Sequence, residues 1–459
     1  MQTSTIKFSQ IEDRIDAEYY KPEYLILNSK FKIQNSKFLN DLSQIITKGE
    51  TPLWRGDVYV SKGIPFLRVV NFVNEELDLS DIVYIPEFVH ERMKRSQLKP
   101  GDVLLSMAGR IGTAVIVPEE LKVANINQAV AKIRLKEGLI NKYYLVVFLN
   151  SKFGHLQSLR KASGGVQNNI NFEDIKSIKI PIPSQSFQQK IEKMVKEAQE
   201  KRKLADEKYK EAEEILNKEL GLEDLDLSTQ KTFEAKFSEA EDRFDPEYYQ
   251  PKYKKIIQLL KSGQRKNKFK LYNLDNILTV KRGSLIDDGY YCSVGIPYIR
   301  IKDLTHQGIV PTDFAYINEY QAKVGRYERV KEGDQLLTVI GATVGKLCRV
   351  PKELDGSFFS NNISRLRLKK EFLDKINTIY LETVLRSLIC QGQILRNATQ
   401  TAQPKLNDTE VRDVIIPILP QFTQQKISSL IQQSFKLHQE AKELIYTAKK
   451  EVEKIVEDK

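Results

Sequence analysis

At 459 residues, 41% of them hydrophobic, the chain holds material for two or three cored domains, and a net charge of +11 with a pI near 9.1 points to an acidic partner, nucleic acid first. Cys292, Cys348 and Cys390 lie far apart with no CxxC, so neither a disulfide framework nor a zinc ribbon is indicated, and a reducing cytoplasm fits. The longest apolar run, near Tyr143–Leu149, is far short of the roughly 20 residues of a membrane span, and Met1–Ser9 lacks the layout of a signal peptide.

In chain order, a polar, Tyr-rich entry segment, Phe8–Tyr24, leads into a helix expected near Pro22. Short β-type runs follow at Pro65–Val70, Val103–Met107, Thr113–Val117 and Ala129–Leu135, punctuated by Gly and Pro as in a small twisted sheet with long loops. A helical stretch at Lys142–Lys161 and a Pro-bounded strand at Ile178–Ile182 close the globular part. Gln185–Leu220 then contains no Pro and reads as one long helix. An acidic linker, 221–236, carries the chain onward.

From there the chain repeats itself. The entry FSQIEDRIDAEYYKPEY returns as FSEAEDRFDPEYYQPKY at Phe237–Tyr253, identical at eleven of seventeen positions. GIPFLRVVNF (Gly63–Phe72) returns at Gly295–Leu304, KPGDVLLSMAG (Lys99–Gly109) at Lys331–Gly341, and KIPIPSQSFQQKI (Lys179–Ile191) at Ile415–Ile427. Matches in the same order at an offset drifting only from 229 to 236 mean a duplicated unit. The expected fold is therefore mixed α+β in tandem: globular parts at 1–184 and 237–420, long helices at 185–220 and 421–459. In Phe422–Glu457, Ile427, Leu430, Leu437, Ala441, Leu444, Ala448 and Ile455 follow steps of three and four, with Ser434 also on the stripe. In the first helix Ile191, Met194, Ala198, Ala205, Ala212 and Ile215 follow a weaker course broken by Lys201 and Lys208. One apolar stripe per helix demands a partner, and the copy in the other half is the obvious one.

Catalytic signatures are missing. The sequence has no Asn-Pro-Pro-aromatic motif for methylating a base, no HExxH, no local Cys/His cluster and no G-x-S-x-G elbow. Gly341–Lys346 falls short of a phosphate loop, with three residues between its glycines and Leu347 in place of the Ser or Thr that would hold magnesium. No cofactor or metal is expected. What remains suits binding: Gly-containing turns carry Lys48, Arg110, Lys281 and Arg282, while Arg68 and Arg300 follow two apolar residues in the Gly-Ile-Pro repeat, with Asn71 and Lys302 close by. Glycine lets a backbone approach a phosphate, which Lys or Arg neutralises. Amides cluster at matching places, Asn127 and Gln128 against Asn361 and Asn362, and Gln167 and Asn168 against Gln403 and Lys405. Asn and Gln can read adenine edges and Arg can read guanine.

The entry motif EDR-x-D-x-E-YY-x-P at Glu12–Pro22 and Glu241–Pro251, the K-x-GD-x-LL strand at Lys99–Leu105 and Lys331–Leu337, the Asn127-Gln128 turn, and IP-x-P-S-x-x-x-QQKI at Ile180–Ile191 resemble the specificity subunits of type I restriction-modification systems over nearly the whole chain. Leu419 stands where that family often has Pro. The resemblance implies two target recognition domains and two long helices paired as an antiparallel coiled coil. It implies a non-catalytic subunit in which each domain reads half of a bipartite double-stranded DNA site. Its partners would be two methyltransferase (modification) subunits and, in the full endonuclease, restriction (motor-nuclease) subunits. The rival readings are the recognition portion of another restriction or methylation system, and a coiled-coil adaptor that never touches DNA.

Overall fold

The computed structural model describes residues 5–6, 11, 15–30, 35–52, 56–162, 169–223, 225, 227–236, 243, 245–305, 308–309, 314–324, 327–399 and 401–457. It divides into two compact units, one of residues 1–203 with 437–459 and one of 204–436.

In the first unit a four-stranded antiparallel sheet runs in the order Ser43–Lys48, Val130–Leu135, Val103–Ser106, Ala114–Ile116. Its inner strand Val103–Ser106 reads as a nearly continuous apolar run because both faces are covered, while the other, Val130–Leu135, carries Lys132 and Arg134. Val103, Leu105, Ala131 and Ile133 face a core shared with Leu145, Phe148, Ile191 and Val195, while Leu104, Val115 and Val130 face a second core with Leu67, Phe72 and Ile126. A three-stranded sheet, Val83–Ile85, Ile64–Leu67 and Asn125–Ile126, joins its last two strands in parallel. The second unit repeats this with Leu278–Arg282, Ile363–Leu368, Gln335–Thr338 and Leu347–Arg349, and with Tyr291–Cys292, Ala315–Ile317, Ile296–Ile299 and Phe358–Phe359. These are the mixed α+β units expected of a duplicated chain.

Each motif has a local reason. In K-x-GD-x-LL the glycine takes a left-handed turn, φ +84° at Gly101 and +83° at Gly333. The aspartate that follows caps that turn and grips an arginine: Asp102 accepts from Lys99 N at 2.9 Å and from Arg134 Nε and Nη2 at 2.7 and 2.6 Å. Asp334 repeats it with Lys331 N at 2.7 Å and Arg367 Nε and Nη2 at 2.8 and 2.7 Å. In the entry motif Asp16 and Asp245 accept from Tyr19 N and Tyr248 N, each at 3.2 Å. The guanidinium of Arg160 lies 4.1 Å from the centre of the Tyr19 ring, and that of Arg396 4.0 Å from Tyr248. An Asp334→Ala variant should lose about 3 kcal/mol, because it removes the bidentate partner of Arg367 and leaves the buried Arg365 with Glu328 alone; equilibrium urea unfolding reads this directly.

Two expectations need correcting. Lys142–Lys161 is not one helix but two, Lys142–Leu149 and Lys152–Lys161, broken where Ser151 caps the second. Gly154 permits the corner, since a Cβ there would lie 2.3 Å from the Phe148 carbonyl oxygen. The break recurs at Ser387, between Thr378–Arg386 and Leu388–Asn397. The strand expected at Pro65–Val70 stops at Leu67, where a 3-10 turn, Val69–Asn71, takes over.

The long helices span Gln185–Leu220 and Gln421–Glu457. Gln188, Ile191, Val195, Ala198, Ala205, Ala212, Leu216 and Leu220 are buried in the first, and Gln424, Ile427, Ile431, Ser434, Ala441, Ala448, Val452 and Val456 in the second, every pair 236 positions apart. The expected stripe therefore shifts at the ends, where Val195, Leu216, Val452 and Val456 are buried and Met194, Ile215 and Ile455 only partly so. A straight helix of 3.6 residues per turn drifts from a 3.5-residue stripe, and the ends pack into the domain cores as well as beside the other long helix. Within the first unit Lys190 pairs with Glu451 at 2.8 Å and Lys201 with Glu440 at 2.7 Å. Within the second, Ala212 and Leu216 share a core with Ile427 and Ile431.

Candidate nucleic-acid interface

In the first unit the antiparallel register gathers four strand ends on one edge of the sheet: Lys48 opposite Ala131, Val130 opposite Ser106, and Leu105 opposite Ala114. Turns join them into one surface. Asn127 N donates to Leu67 O at 3.2 Å, Met107 N to Ala129 O at 2.8 Å, and Ile170 N to Met107 O at 3.0 Å. The Lys48-Gly49 turn lies against the Ile126-Asn127 backbone so closely that a Cβ on Gly49 would sit 1.7 Å from the Ile126 carbonyl oxygen. The second unit repeats the edge, with Arg282 opposite Ser364, Val339 N donating to Asn362 O at 3.0 Å, Gly341 N to Pro404 O at 2.9 Å and Ser360 N to Ile299 O at 2.9 Å. There a Cβ on Gly283 would sit 2.2 Å from the Phe359 carbonyl oxygen.

The strand-end candidates thus converge in each unit. Lys48 and Arg110 are exposed, and neither has a carboxylate within ion-pair distance among the described residues. Gly109 and Gly112 hold the Arg110 turn at φ +70° and +84°. Asn127 Oδ1 accepts from Ala129 N at 3.2 Å, which fixes the turn, and the neighbouring Gln128 Oε1 is buried with no hydrogen-bond partner among the described residues. Gln167 and Asn168 lie outside the described residues, and the next residue, Asn169, bridges to Ala108 on this edge. In the second unit Asn361 and Asn362 follow Ser360, whose hydroxyl donates to Asn361 Oδ1 and accepts from Asn362 N, both at 3.3 Å. Gln403 and Lys405 are exposed, and Lys405 bridges to Ile340.

Others are differently placed. Arg68 Nη2 donates to Asp81 O at 3.0 Å and lies 3.5 Å from the Asp81 carboxylate. Asn71, only 1% exposed, accepts from Arg68 N at 2.9 Å and donates to Asp78 O at 3.1 Å, so it closes a turn. Its counterpart Asp303 accepts from Arg300 N at 2.7 Å, and burial raises its carboxyl above the usual range. Arg300 Nε lies 3.7 Å from Asp303, with its guanidinium over the Tyr291 ring, and Lys302 is exposed. Lys281 pairs with Glu328 at 2.6 Å and Arg282 with Asp408 at 2.9 Å. Among the described residues the first unit's edge therefore offers Lys48 and Arg110 without a carboxylate, whereas in the second Lys281 and Arg282 are held by carboxylates and Lys405 is not. Sequence reasoning passed over Lys346 at the end of the Gly341–Gly345 turn, whose Nζ donates to Leu304 O at 3.1 Å; its signal was the same Gly-plus-Lys pattern.

Among the described residues no group of His, Cys, Asp and Glu could hold a metal ion, and no helix is long and apolar enough to cross a membrane.

The family model "Type I restriction modification DNA specificity domain" matches residues 4–214 and 266–447. The specificity subunit of the Escherichia coli type I restriction enzyme EcoBI is 28% identical over 181 residues, covering 37% of this chain and 38% of that one. The EcoKI specificity subunit of Escherichia coli K12 is 21% identical, covering 81% and 75%, and the MjaIX specificity subunit of Methanocaldococcus jannaschii 24% identical, covering 87% and 86%. A crystal structure of the type I S subunit from M. genitalium aligns at 14% identity and a TM-score of 0.45, covering 92% of this chain and 95% of that one. With the family model matching both halves, the chain belongs to the type I restriction-modification DNA specificity family, as a non-catalytic recognition subunit with two recognition regions.

Proposed function

We propose that each sheet edge reads one part of a bipartite double-stranded DNA target. The observation that carries this is the recurrence of one surface in both units, Lys48, Arg110, Asn127 and Gln128 on one edge and Arg282, Asn361, Asn362 and Lys405 on the other. Gln128 is the leading base reader of the first unit, because its buried, unsatisfied carboxamide oxygen would gain a partner from an adenine amino group. Arg68, Lys281, Arg282 and Arg300 would exchange carboxylates for phosphates, and Lys302, Gln403, Gln167 and Asn168 would extend the contact.

The recognition domains are assigned to 1–184 and 237–420, the spacer helices to 185–220 and 421–459, and the linker to 221–236. The helices pair antiparallel: as the first partner rises from Lys190 to Lys201, the second falls from Glu451 to Glu440. Two methyltransferase subunits dock on this chain in the cytoplasm, and motor-nuclease subunits join them in the endonuclease.

The test is DNA binding by the chain assembled with its methyltransferase. Lys48→Ala should weaken binding to all duplexes alike and lower the salt slope by about one ion. Gln128→Ala should instead relax specificity in one half-site only, by about 1–3 kcal/mol at one base pair. Wild-type affinity, slope and half-site preference in both folded variants would remove the assignment.

A further inference from the structure

A second basic surface lies beside the first unit's reading edge. A cleft of about 700 Å³ opens on the outer strand of the sheet, lined by Thr47 and by Lys94, Arg95, Lys99, Lys122, Lys132 and Arg134. Only Arg134 has a carboxylate, Asp102, within ion-pair distance among the described residues. Lys132 is 2% exposed, its Nζ donating to Arg95 O at 2.6 Å and Gln97 O at 3.0 Å, and burial lowers its pKa from the ordinary lysine value.

The duplication supplies an internal control. Leu98 N donates to Ala124 O at 3.0 Å and Val330 N to Ser357 O at 3.0 Å, which aligns the two straps residue by residue. By that alignment the second unit has Tyr327 for Arg95, Glu328 for Ser96, Arg365 for Lys132 and Asp355 for Lys122. Glu328 there pairs with Arg365 at 3.0 Å and with Lys281 at 2.6 Å. The second unit also has Arg329 for Gln97 and keeps Lys331 for Lys99, but it adds two carboxylates, Glu328 and Asp355, where the first has Ser96 and Lys122. A packed scaffold needs no such excess of cations, since the same fold is built without it.

We propose that this cleft binds a phosphodiester backbone, that of the duplex flanking the half-site read by the first unit. Continuity favours DNA as the occupant. Thr47 lines the cleft and pairs with Lys132, and the next residue, Lys48, stands on the reading edge opposite Ala131. One run of backbone joins both surfaces, so a duplex seated on the edge can extend its phosphates into the cleft. Mutual repulsion among these cations falls when a polyanion enters, and condensed counterions are released from the DNA. The inference rests on the function proposed above and adds a sequence-independent anchor to one half only.

The test uses the full chain assembled with its methyltransferase, in the variant Arg95→Tyr with Lys122→Asp, which imports the second unit's residues. The expected result is affinity lowered about tenfold for every duplex long enough to flank the site, a salt slope reduced by about two ions, and unchanged half-site preference. Arg95→Lys should restore half of the lost slope. Wild-type affinity and slope in the folded double variant would overturn the proposal. A loss of methyltransferase assembly, read by sedimentation, would overturn it in favour of an acidic protein surface. Saturation of the wild-type cleft by micromolar pyrophosphate, with DNA binding untouched, would overturn it in favour of a small anion. Lys48→Ala and Gln128→Ala run in parallel separate the two failures. If these alter DNA binding and the cleft variant does not, only the cleft is lost; if none does, the reading edge falls as well.

Discussion

Removing one heptad from each long helix, Arg202–Lys208 together with Gln433–Gln439, should abolish recognition at the natural gap between half-sites and move the preference to a gap about three base pairs shorter. Seven residues shorten a helix by roughly 10 Å while keeping its buried stripe in phase, and a base-pair step rises about 3.4 Å. The paired deletion keeps Lys201 beside Glu440, so the helices still match in register. Methylation by the assembled complex, mapped on a library of sites with varied gaps, should show at least a tenfold fall at the original gap. An unchanged gap with wild-type affinity would show that the helices do not measure distance.

The second large effect should come from a single methyl group. Gly49→Ala places a Cβ 1.7 Å from the Ile126 carbonyl oxygen, a backbone atom that cannot swing aside. The turn must move, at a cost of about 1–3 kcal/mol, with a fall in melting temperature of about 4–10 °C. Function should suffer more than stability, because the turn that follows Lys48 rests on the Ile126-Asn127 backbone at that contact. Gly283→Ala should do the same in the other half, against the Phe359 carbonyl oxygen. Each variant should spoil one half-site and leave the other read correctly, which footprinting of the two half-sites would reveal. Equal loss in both halves would mean that the glycine serves the whole fold rather than its own edge.

Much of this was legible because the chain states its design twice. The repeat exposed the duplication, and the long Pro-free stretches expected as helices at 185–220 and 421–459 contain the helices Gln185–Leu220 and Gln421–Glu457. The strands showed because a sheet covered on both faces reads as runs such as Val103–Ser106. Less visible was which cations are spoken for. Lys48 and Lys281 look alike in sequence, yet Glu328, far along the chain, holds only the second. Asn71 resembled a base reader because it is polar and near Arg68, but a buried backbone turn claimed its side chain. The basic cleft was hidden for the same reason, since Lys94, Lys122 and Lys132 meet only through tertiary folding.

The roots of the long helices are tied down in a way that matters mechanically. Gln188 accepts from Asn141 N at 2.8 Å and donates to Pro183 O at 3.0 Å, and Gln424 accepts from Asn377 N at 3.0 Å and donates to Leu419 O at 2.9 Å. A rod of 36 residues is about 54 Å long, so a tilt of about 5° at its root swings the tip by about 5 Å, more than one base-pair step of about 3.4 Å. Gln188 and Gln424 are therefore tethers at the helix roots, added to the stripe buried along each helix, and loosening either would let a small angle at the base become a large displacement at the far end.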